Sequence, residues 1–348
     1  MNSRERIEAI LANAPVDHVP FAILDGGAWA ESETDLTYRE FLSLEDAGAS
    51  VIVKKFDEIH ADIVSSCGAF ASGYLGALGN QMDLDVKHAT VNSKPTIEDP
   101  EEDILKLDIS SIRENLDQSW VWQRLLHQTR EIKKLVGDTK LIGACIAGPF
   151  TAAGMLVGVQ DFMMMLLDED LEEQLKHILA YGLEASVLAY EDLHAAGVDI
   201  AWLGEPVASG AMISQSMFEE FAMGPIREAY TRLRRSYRYI FMHMCGNSGP
   251  RVSTIKEIGF DAFSVDSMVD LEKAGRDSEG EMVLLGNIGP ASPLRNGTPQ
   301  EVETAAREAA AKAKAGGGRL ILCPGCDVPV GTPTENLLAL HKVAGETA

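Results

Sequence analysis

The chain has 348 residues, a formal net charge of −23 and 46% hydrophobic residues. This acidic composition argues against sequence-independent binding to nucleic acid or to an anionic membrane, and it favours solubility. The opening segment lacks an apolar signal-peptide core, no apolar run reaches the roughly 18 residues that span a bilayer, and the five cysteines are an odd number. These features predict a cytoplasmic protein whose thiols are free for metal or catalytic roles.

Short apolar segments alternate with helical ones along the chain. Residues 3–12 predict an amphipathic N-terminal helix, and 86–91 predict an extra edge strand. The segments predicted as the main strands are 19–24, 50–54, 140–146, 198–203, 239–243, 260–265, 282–286 and 319–322. Helices are predicted over 36–47, 57–80, 110–136, 160–196, 214–236, 250–258, 298–315 and from 333 onward. Thr298 and Glu301 match a capping box at the start of one of them.

Eight short and nearly all-apolar strands, each followed by helical sequence, predict a parallel sheet covered by helices. Eight such units favour an α/β fold of the closed (β/α)8 TIM-barrel type, with an N-terminal helical extension. An open doubly wound sheet is the alternative, but no Gly-rich dinucleotide fingerprint follows any strand. No internal repeat or linker divides the sequence, so we expect residues 1–348 to form a single domain.

Polar residues recur at the points where the predicted strands end. In a (β/α)8 barrel the chemistry takes place at the C-terminal ends of the strands. The strand-end residues of this kind are Asp25, Glu205, His243, Cys245, Asp266, Asn287 and Cys326. Any one of them can simply cap a strand or a turn, so their shared position carries the prediction of a site. Asp266 and Asn287 are predicted to line its pocket.

Two of these strand ends carry zinc-type ligands. Alternate residues of a strand point to the same side, so His243 and Cys245 can present an imidazole and a thiolate to one point. Cys326 follows the last strand, and three protein ligands with one open position are typical of catalytic zinc. Cys323 would complete a closed structural site, but it belongs to the strand and is expected to point into the barrel wall. A site without metal is the remaining alternative.

Two thiolates and one imidazole leave zinc with little net positive charge. Such a site is a poor source of hydroxide, but it binds and deprotonates thiols, which predicts alkyl transfer with sulfur as the nucleophile. Glu205 is predicted either as a fourth ligand that substrate displaces or as a partner that orients His243. A plain strand-end carboxylate is the alternative. Cys67 and Cys145 have no His or Asp partner at a spacing that would indicate a metal or catalytic site, and they are interpreted as small buried side chains.

Asp192, His194 and Gly197 match Asp-x-His-x-x-Gly, a pattern found in corrinoid-binding domains. In this chain the pattern is predicted at the end of a helix and lacks the Ser and Gly signals that accompany it in a separate corrinoid domain. We therefore interpret His194 as a helix-end histidine near the negative pole of the helix dipole. A corrinoid carrier that uses Asp192 and His194 remains the non-enzymatic alternative.

With these residues in place, the chain resembles the uroporphyrinogen decarboxylase superfamily, and within it the zinc-dependent methylcobamide:coenzyme M methyltransferases and related corrinoid-dependent methyltransferases. The resemblance covers most of the chain and is strongest from about 197 to 338. The segments that carry it are Gly197-Val198-Asp199, Glu205-Pro206, Ala208-Ser209-Gly210, His243-Met244-Cys245-Gly246-Asn247, Gly286-Asn287-Ile288, Pro324-Gly325-Cys326, Thr332-Pro333 and Glu335-Asn336-Leu337.

The resemblance implies a (β/α)8 barrel, Zn2+ on His243, Cys245 and Cys326, and methyl transfer between a corrinoid (methylcobalamin) on a separate corrinoid-binding protein and a small acceptor. That acceptor is a thiol such as coenzyme M, or tetrahydrofolate. Members differ in direction, so a demethylase that passes methyl from a methoxylated aromatic or another donor to Co(I) corrinoid is the first alternative. A metal-free decarboxylase is the second, but the segment 21–31, where the decarboxylases carry arginines for porphyrinogen carboxylates, has none.

Overall fold

The structure, a computed structural model, describes residues 1–66, 70–87 and 92–347. The strands in these ranges are β1 (Ile63–Ser65), β2 (Gln81–Met82), β3 (Asn92–Lys94), β4 (Leu141–Ala147), β5 (Ile200–Gly204), β6 (Tyr239–Met244), β7 (Ala262–Val265), β8 (Val283–Ile288) and β9 (Leu320–Pro324). The α-helices are α1 (Ser3–Leu11), α2 (Gly27–Ser32), α3 (Tyr38–Leu42), α4 (Asp46–Glu58), α5 (Phe70–Ala77), α6 (Pro100–Asp103), α7 (Ile112–Gln118), α8 (Trp120–Val136), α9 (Pro149–Val157), α10 (Val159–Met165), α11 (Glu172–Ala196), α12 (Gln215–Met217), α13 (Met223–Leu233), α14 (Val252–Ile258), α15 (Leu271–Ser278), α16 (Pro299–Ala315) and α17 (Thr334–Glu346).

Seven strands form one parallel sheet, in the order β1-β4-β5-β6-β7-β8-β9, whereas β2 and β3 form a separate antiparallel pair. The segment 19–24 occupies the eighth position, between the two edges of the sheet. On one side Leu322 N donates to Pro20 O (2.8 Å), and on the other Asp62 N donates to Phe21 O (2.7 Å). The segment therefore joins β9 to the start of β1, and the predicted (β/α)8 barrel is confirmed.

Alternate side chains of the strands point into the barrel and fill it. The buried cluster that they form consists of Ala22, Leu24, Ile63, Leu141, Ile200, Trp202, Tyr239, Phe241, Ala262, Val283, Leu285, Ile321 and Cys323. Ile7 and Ile10 of α1 belong to the same cluster, and Arg4 N donates to Thr139 O, just before β4. The predicted N-terminal helix is thus confirmed, and it covers the N-terminal end of the barrel. The C-terminal strand ends lie at the opposite end.

One predicted strand is wrong. Residues 50–54 lie inside α4, where Ala49, Ile52 and Phe56 are buried at helical spacing. The strand of this region is β1, within the stretch 57–80 that we predicted as helical. A short apolar run does not by itself distinguish a strand from one turn of a buried helix. For this reason the sequence predicted a strand where the structure has a helix, and a helix where it has a strand.

Three further local predictions have different outcomes. The helix predicted over 110–136 is two helices, because Ser119 is extended and its Oγ accepts from Trp122 N (3.3 Å) to cap α8. The capping box of α16 is confirmed: Thr298 Oγ1 accepts from Glu301 N at 3.3 Å. Most of the edge strand predicted over 86–91 lies outside the described residues, as does Cys67.

No described helix has the length and apolarity needed to cross a membrane.

Candidate metal centre

Three predicted ligands meet at the C-terminal end of the barrel. His243 is the fifth residue of β6, Cys245 follows that strand directly, and Cys326 lies two residues beyond β9. The Sγ atoms of Cys245 and Cys326 are 3.2 Å apart, and His243 Nε2 lies 3.1 Å from Cys245 Sγ and 3.7 Å from Cys326 Sγ. His243 is 4% exposed and the two cysteines are half-buried. The three side chains therefore face one point that remains partly accessible.

The donor atoms of this triad suit zinc in type and in spacing. Tetrahedral zinc holds sulfur at ~2.3 Å and imidazole nitrogen at ~2.1 Å, which separates two sulfurs by ~3.8 Å and sulfur from nitrogen by ~3.6 Å. The three distances in the structure are each within about 0.6 Å of these separations. In the described ranges no fourth His, Cys, Asp or Glu belongs to this group, whose donor atoms all lie within 4.8 Å of one another.

The surroundings shift the pKa values of the two thiols in opposite directions. The hydrogen bond with Cys245 lowers the pKa of the Cys326 thiol, and its contact with His243 lowers it further. The same bond, together with burial, raises the pKa of the Cys245 thiol. A cation bound at the triad would displace the proton between the two sulfurs, because a metal takes cysteine in its thiolate form.

Ser264, which sequence reasoning missed, fixes the ring of His243. It lies on β7 directly opposite His243 in the parallel register, and its buried Oγ is 3.0 Å from His243 Nδ1. Because Nδ1 faces a hydroxyl, Nε2 is the nitrogen presented to the two sulfurs. The signal in the sequence is weak: a serine two residues before Asp266, hence on the same side of the strand.

Replacing Ser264 with alanine is expected to lower zinc affinity by about 10- to 100-fold, the usual effect of removing a partner that orients a ligating histidine. A competition titration with a chromogenic chelator measures this change. Ser278→Ala is the matched control, because Ser278 is equally buried but donates to Gly275 O in α15. Equal affinities for the two variants would show that Ser264 does not orient His243.

Glu205 N donates to His243 O (2.8 Å), but the Glu205 carboxylate binds other atoms. It is fully buried directly after β5, and its carboxylate accepts from Phe150 N (3.1 Å) and Thr151 N (2.8 Å) in the first turn of α9. The positive end of the helix dipole favours a carboxylate there. Burial nonetheless raises the pKa of Glu205 to about 7, and the hydrogen bonds with Thr151 and Phe150 oppose that rise. Its predicted role as a fourth ligand stays a prediction.

Asp266 and Asn287 brace the loops around the triad. Asp266 Oδ2 accepts from Gly246 N (3.0 Å) and so holds the turn that follows Cys245. Asn287 Nδ2 donates to Asp266 O (3.1 Å) and Val269 O (2.8 Å). Both side chains therefore position the ends of β6 and β7, and their contact with a substrate stays a prediction.

Two carboxylates, those of Asp327 and Asp25, lie near Cys326 in the fold. Asp327 follows it in the chain, and Asp327 Oδ1 accepts from Gly26 N (3.0 Å), which places Asp25 beside it. Burial raises the pKa of Asp327 to about 6, and burial together with the charges of Asp327 and Glu31 raises the pKa of Asp25 well above its usual value. Sequence reasoning picked out Asp25 as a strand-end residue but gave no role to Asp327.

Of the cysteines that the structure describes, Cys323 and Cys145 lie outside the triad. Cys323 was predicted to point into the barrel wall, but it is fully buried in the cluster that fills the barrel interior, and burial raises the pKa of its thiol. Cys145 also packs against that cluster, and burial and nearby negative charges raise the pKa of its thiol as well.

The corrinoid-type pattern lies elsewhere, near the start of β5, where α11 ends. Asp192 pairs with Arg113 and accepts from Trp122 Nε1 (3.0 Å). The His194 ring packs edge-on against Tyr237 at 5.0 Å. Both side chains thus have structural partners, and His194 is a helix-end histidine as interpreted.

The family follows from comparison with known proteins. The family model described as Uroporphyrinogen decarboxylase (URO-D) matches residues 2–347. The chain belongs to this family. Methylcobamide:CoM methyltransferase MtaA of Methanosarcina barkeri is 26% identical over 367 residues, which cover 99% of this chain and 97% of that protein. The predicted resemblance to this branch of the family is confirmed.

One further relative and one solved structure are also named as methyltransferases. Methylated-thiol--coenzyme M methyltransferase of Methanosarcina mazei is 31% identical over 219 residues, or 62% of this chain and 56% of that protein. A solved structure of a methyltransferase from Methanosarcina mazei matches with a TM-score of 0.84 and 23% identity, covering 99% of both chains. At that identity the structural match supports the fold alone.

Proposed function

We propose that this protein is a zinc-dependent methyltransferase that moves a methyl group between a methylated corrinoid on a separate protein and a small thiol. The observation that carries the proposal is the triad of His243, Cys245 and Cys326 at the open end of the barrel. Its three donor atoms are those that bind zinc while leaving one position free. The full-length relatives named as methylcobamide:CoM methyltransferases support the same reaction.

In this proposal the triad binds the metal and the neighbouring residues keep the triad in place. Zinc held there would deprotonate a bound thiol and keep its sulfur nucleophilic. Ser264 keeps Nε2 of His243 directed at the ion, and Asp266 holds the turn that carries Cys245. The methyl–cobalt bond of the corrinoid substrate breaks as the carbon–sulfur bond forms, and the thiol proton passes to solvent.

The first segment of the barrel argues against decarboxylation of a porphyrinogen. Residues 21–31 contain no arginine, and they contain Asp25 and Glu31. Both acids are largely enclosed at the C-terminal end of the barrel, near Asp327. Arginines at this place would bind the carboxylates of a porphyrinogen, and two acidic side chains offer those carboxylates no such partner.

The test combines metal analysis with a spectral assay. The purified protein is analysed for zinc, and loss of methylcobalamin absorbance is followed with a panel of small thiols. We expect about one zinc per chain and demethylation that requires both protein and thiol. Zinc without any thiol activity would reverse the direction and favour methoxylated or methylamine donors with Co(I) corrinoid. A protein that binds no zinc would contradict the proposal.

A further inference from the structure

Two exposed apolar side chains form a ridge between α10 and α11. Met164 is 63% exposed, and Leu167, which follows α10, is 72% exposed. A groove runs on each side of Leu167, one of about 620 Å³ and one of about 490 Å³. An apolar surface of this kind in contact with water is typical of a site where another protein binds. Apolar side chains line much of both grooves, among them Met165, Leu171, Leu175, Leu179, Met217 and Phe221.

The ridge lies beyond the C-terminal ends of the strands. Helix α11 runs back toward the start of β5, so its first residue lies at the C-terminal end of the barrel. Gly182 of α11 packs against Pro149 O, just after β4, where an added Cβ would lie 2.6 Å from that oxygen. Residues 172–181 therefore extend past the end of β4, by about 15 Å at ~1.5 Å per residue. The ridge directly precedes them and projects from the same end of the barrel as the triad.

A series of packed residues connects the ridge to the triad. The Phe162 ring of α10 packs edge-on against Phe150 of α9, with ring centroids 5.0 Å apart. Phe150 N donates to Glu205 Oε1 (3.1 Å), and Glu205 N donates to His243 O (2.8 Å). Because Phe150, Phe162 and Glu205 are fully buried, they hold the ridge at a fixed place relative to the metal ligands.

Acidic side chains border both grooves. Lys176 is the basic residue that lines them in the described part of the chain, and it pairs with Glu172. This acidic border would repel nucleic acid, an anionic membrane and a second copy of itself, whereas it would attract a basic protein surface. The acids of the border that form no ion pair with a described lysine or arginine are all exposed, and they are Asp99, Glu101, Asp161, Asp168, Glu169 and Glu220.

We propose that the ridge and its acidic border are the docking surface for the protein that carries the corrinoid, and that this partner presents lysine and arginine side chains around an apolar patch. The inference rests on the proposed function, because it assigns the surface that binds the second substrate of that reaction. A protein that brings its cobalt to the triad covers the C-terminal end of the barrel, from which the ridge projects. Burial of Met164 and Leu167 in the contact supplies affinity, and the acids speed the encounter and fix the orientation.

The test compares two methyl donors in thiol methylation. One is the methyl-corrinoid protein of the producing organism, purified by its corrinoid absorbance, and the other is free methylcobalamin. The free cofactor has no protein surface to dock, so its turnover reports on the triad alone. Binding of the corrinoid protein is also measured by sedimentation, which does not depend on methyl transfer.

Leu167→Ser is the deciding variant. Because the Leu167 side chain is 72% exposed, its removal should leave the fold intact. The KM and the dissociation constant for the corrinoid protein should each rise by at least about tenfold, while kcat/KM for free methylcobalamin should change by less than about twofold. Leu135→Ser is the matched control and should change neither. Leu135 is 54% exposed near the end of α8, which precedes the start of β4 at the opposite end of the barrel.

Glu169→Lys tests the acidic border. The reversed charge should raise the KM for the corrinoid protein by about fivefold or more at about 50 mM salt, and the effect should shrink at about 300 mM, because salt screens exposed charges. Asp138→Lys makes the same change of charge at an exposed position in the turn before β4, and it should leave this KM unchanged.

The outcomes separate this inference from the proposed function. Equal losses with both donors in Leu167→Ser, or no loss with the corrinoid protein, would overturn the docking surface and leave the methyltransferase standing. Thiol methylation from free methylcobalamin without any binding of the corrinoid protein would do the same. Binding that Leu167→Ser weakens, without methyl transfer from either donor, would uphold the docking surface and contradict the proposed reaction. A dimer that Leu167→Ser dissociates would overturn the proposal and assign the ridge to a second copy of this chain.

Discussion

Replacing Cys326 with alanine is expected to remove zinc from the protein and to abolish methyl transfer. The variant leaves only His243 and Cys245 of the triad, so a bound ion would lose one of its two thiolate ligands. Loss of an outer partner costs about 10- to 100-fold in metal affinity, so loss of a direct ligand should cost at least about 1000-fold. Metal analysis after dialysis and the methylcobalamin assay measure the two effects.

Cys323→Ala is the matched control, because Cys323 is three residues away and has the same side chain. It is fully buried in the interior cluster and its sulfur is outside the triad. The substitution should cost about 1 kcal/mol of stability through a small cavity and leave zinc content and activity intact. If zinc remained in Cys326→Ala but disappeared in Cys323→Ala, the assignment of the ligands would be wrong.

Replacing Arg6 with alanine is expected to lower the free energy of unfolding by about 3–5 kcal/mol, the cost of leaving a buried charge without its partner. Arg6 is 7% exposed on α1, and its Nη1 donates to Asp62 Oδ1 at 2.6 Å. Its Nε also donates to Asp17 Oδ1 at 2.7 Å. Asp62 Oδ2 accepts from Phe21 N (2.9 Å), so the same carboxylate links α1 to the segment that closes the barrel.

Urea unfolding followed by circular dichroism measures this loss. The control is Arg39→Ala, which removes an ion pair of similar length between Arg39 and Asp85 on the exposed surface. Surface pairs contribute little, so the unfolding midpoint of the control should stay near that of the unmodified protein. Equal shifts for the two variants would show that the buried pair does not fasten α1 to the barrel.

The sequence by itself determined the repeated units of the fold and predicted the three residues of the triad. Apolar strands alternating with helices predict a barrel, because that pattern reports which faces must be buried. His243 and Cys245 were predictable as a pair, since residues two apart on a strand share a side. The capping box of Thr298 and Glu301 was equally readable, because it depends on residues three apart in the chain.

Local patterns failed where burial came from distant partners. β1 is three residues long and ends in a serine, so it lacks the apolar run typical of a buried strand. It is a strand because β4 pairs with it on one side, residue by residue, while the closing segment 19–24 lies on the other. The more apolar run 50–54 had no such partner and became part of α4 instead.

Cys326 was also predicted as the third ligand, but only the tertiary structure decided how the ligands meet and which residues surround them. Cys326 reaches Cys245 across 81 residues of chain, and Asp327 meets Gly26 across 301. Ser264 faces His243 because β6 and β7 pair in one particular register. Such proximities depend on strand register and on barrel closure, which arise from the packing of the whole chain and leave no mark on any short stretch of sequence.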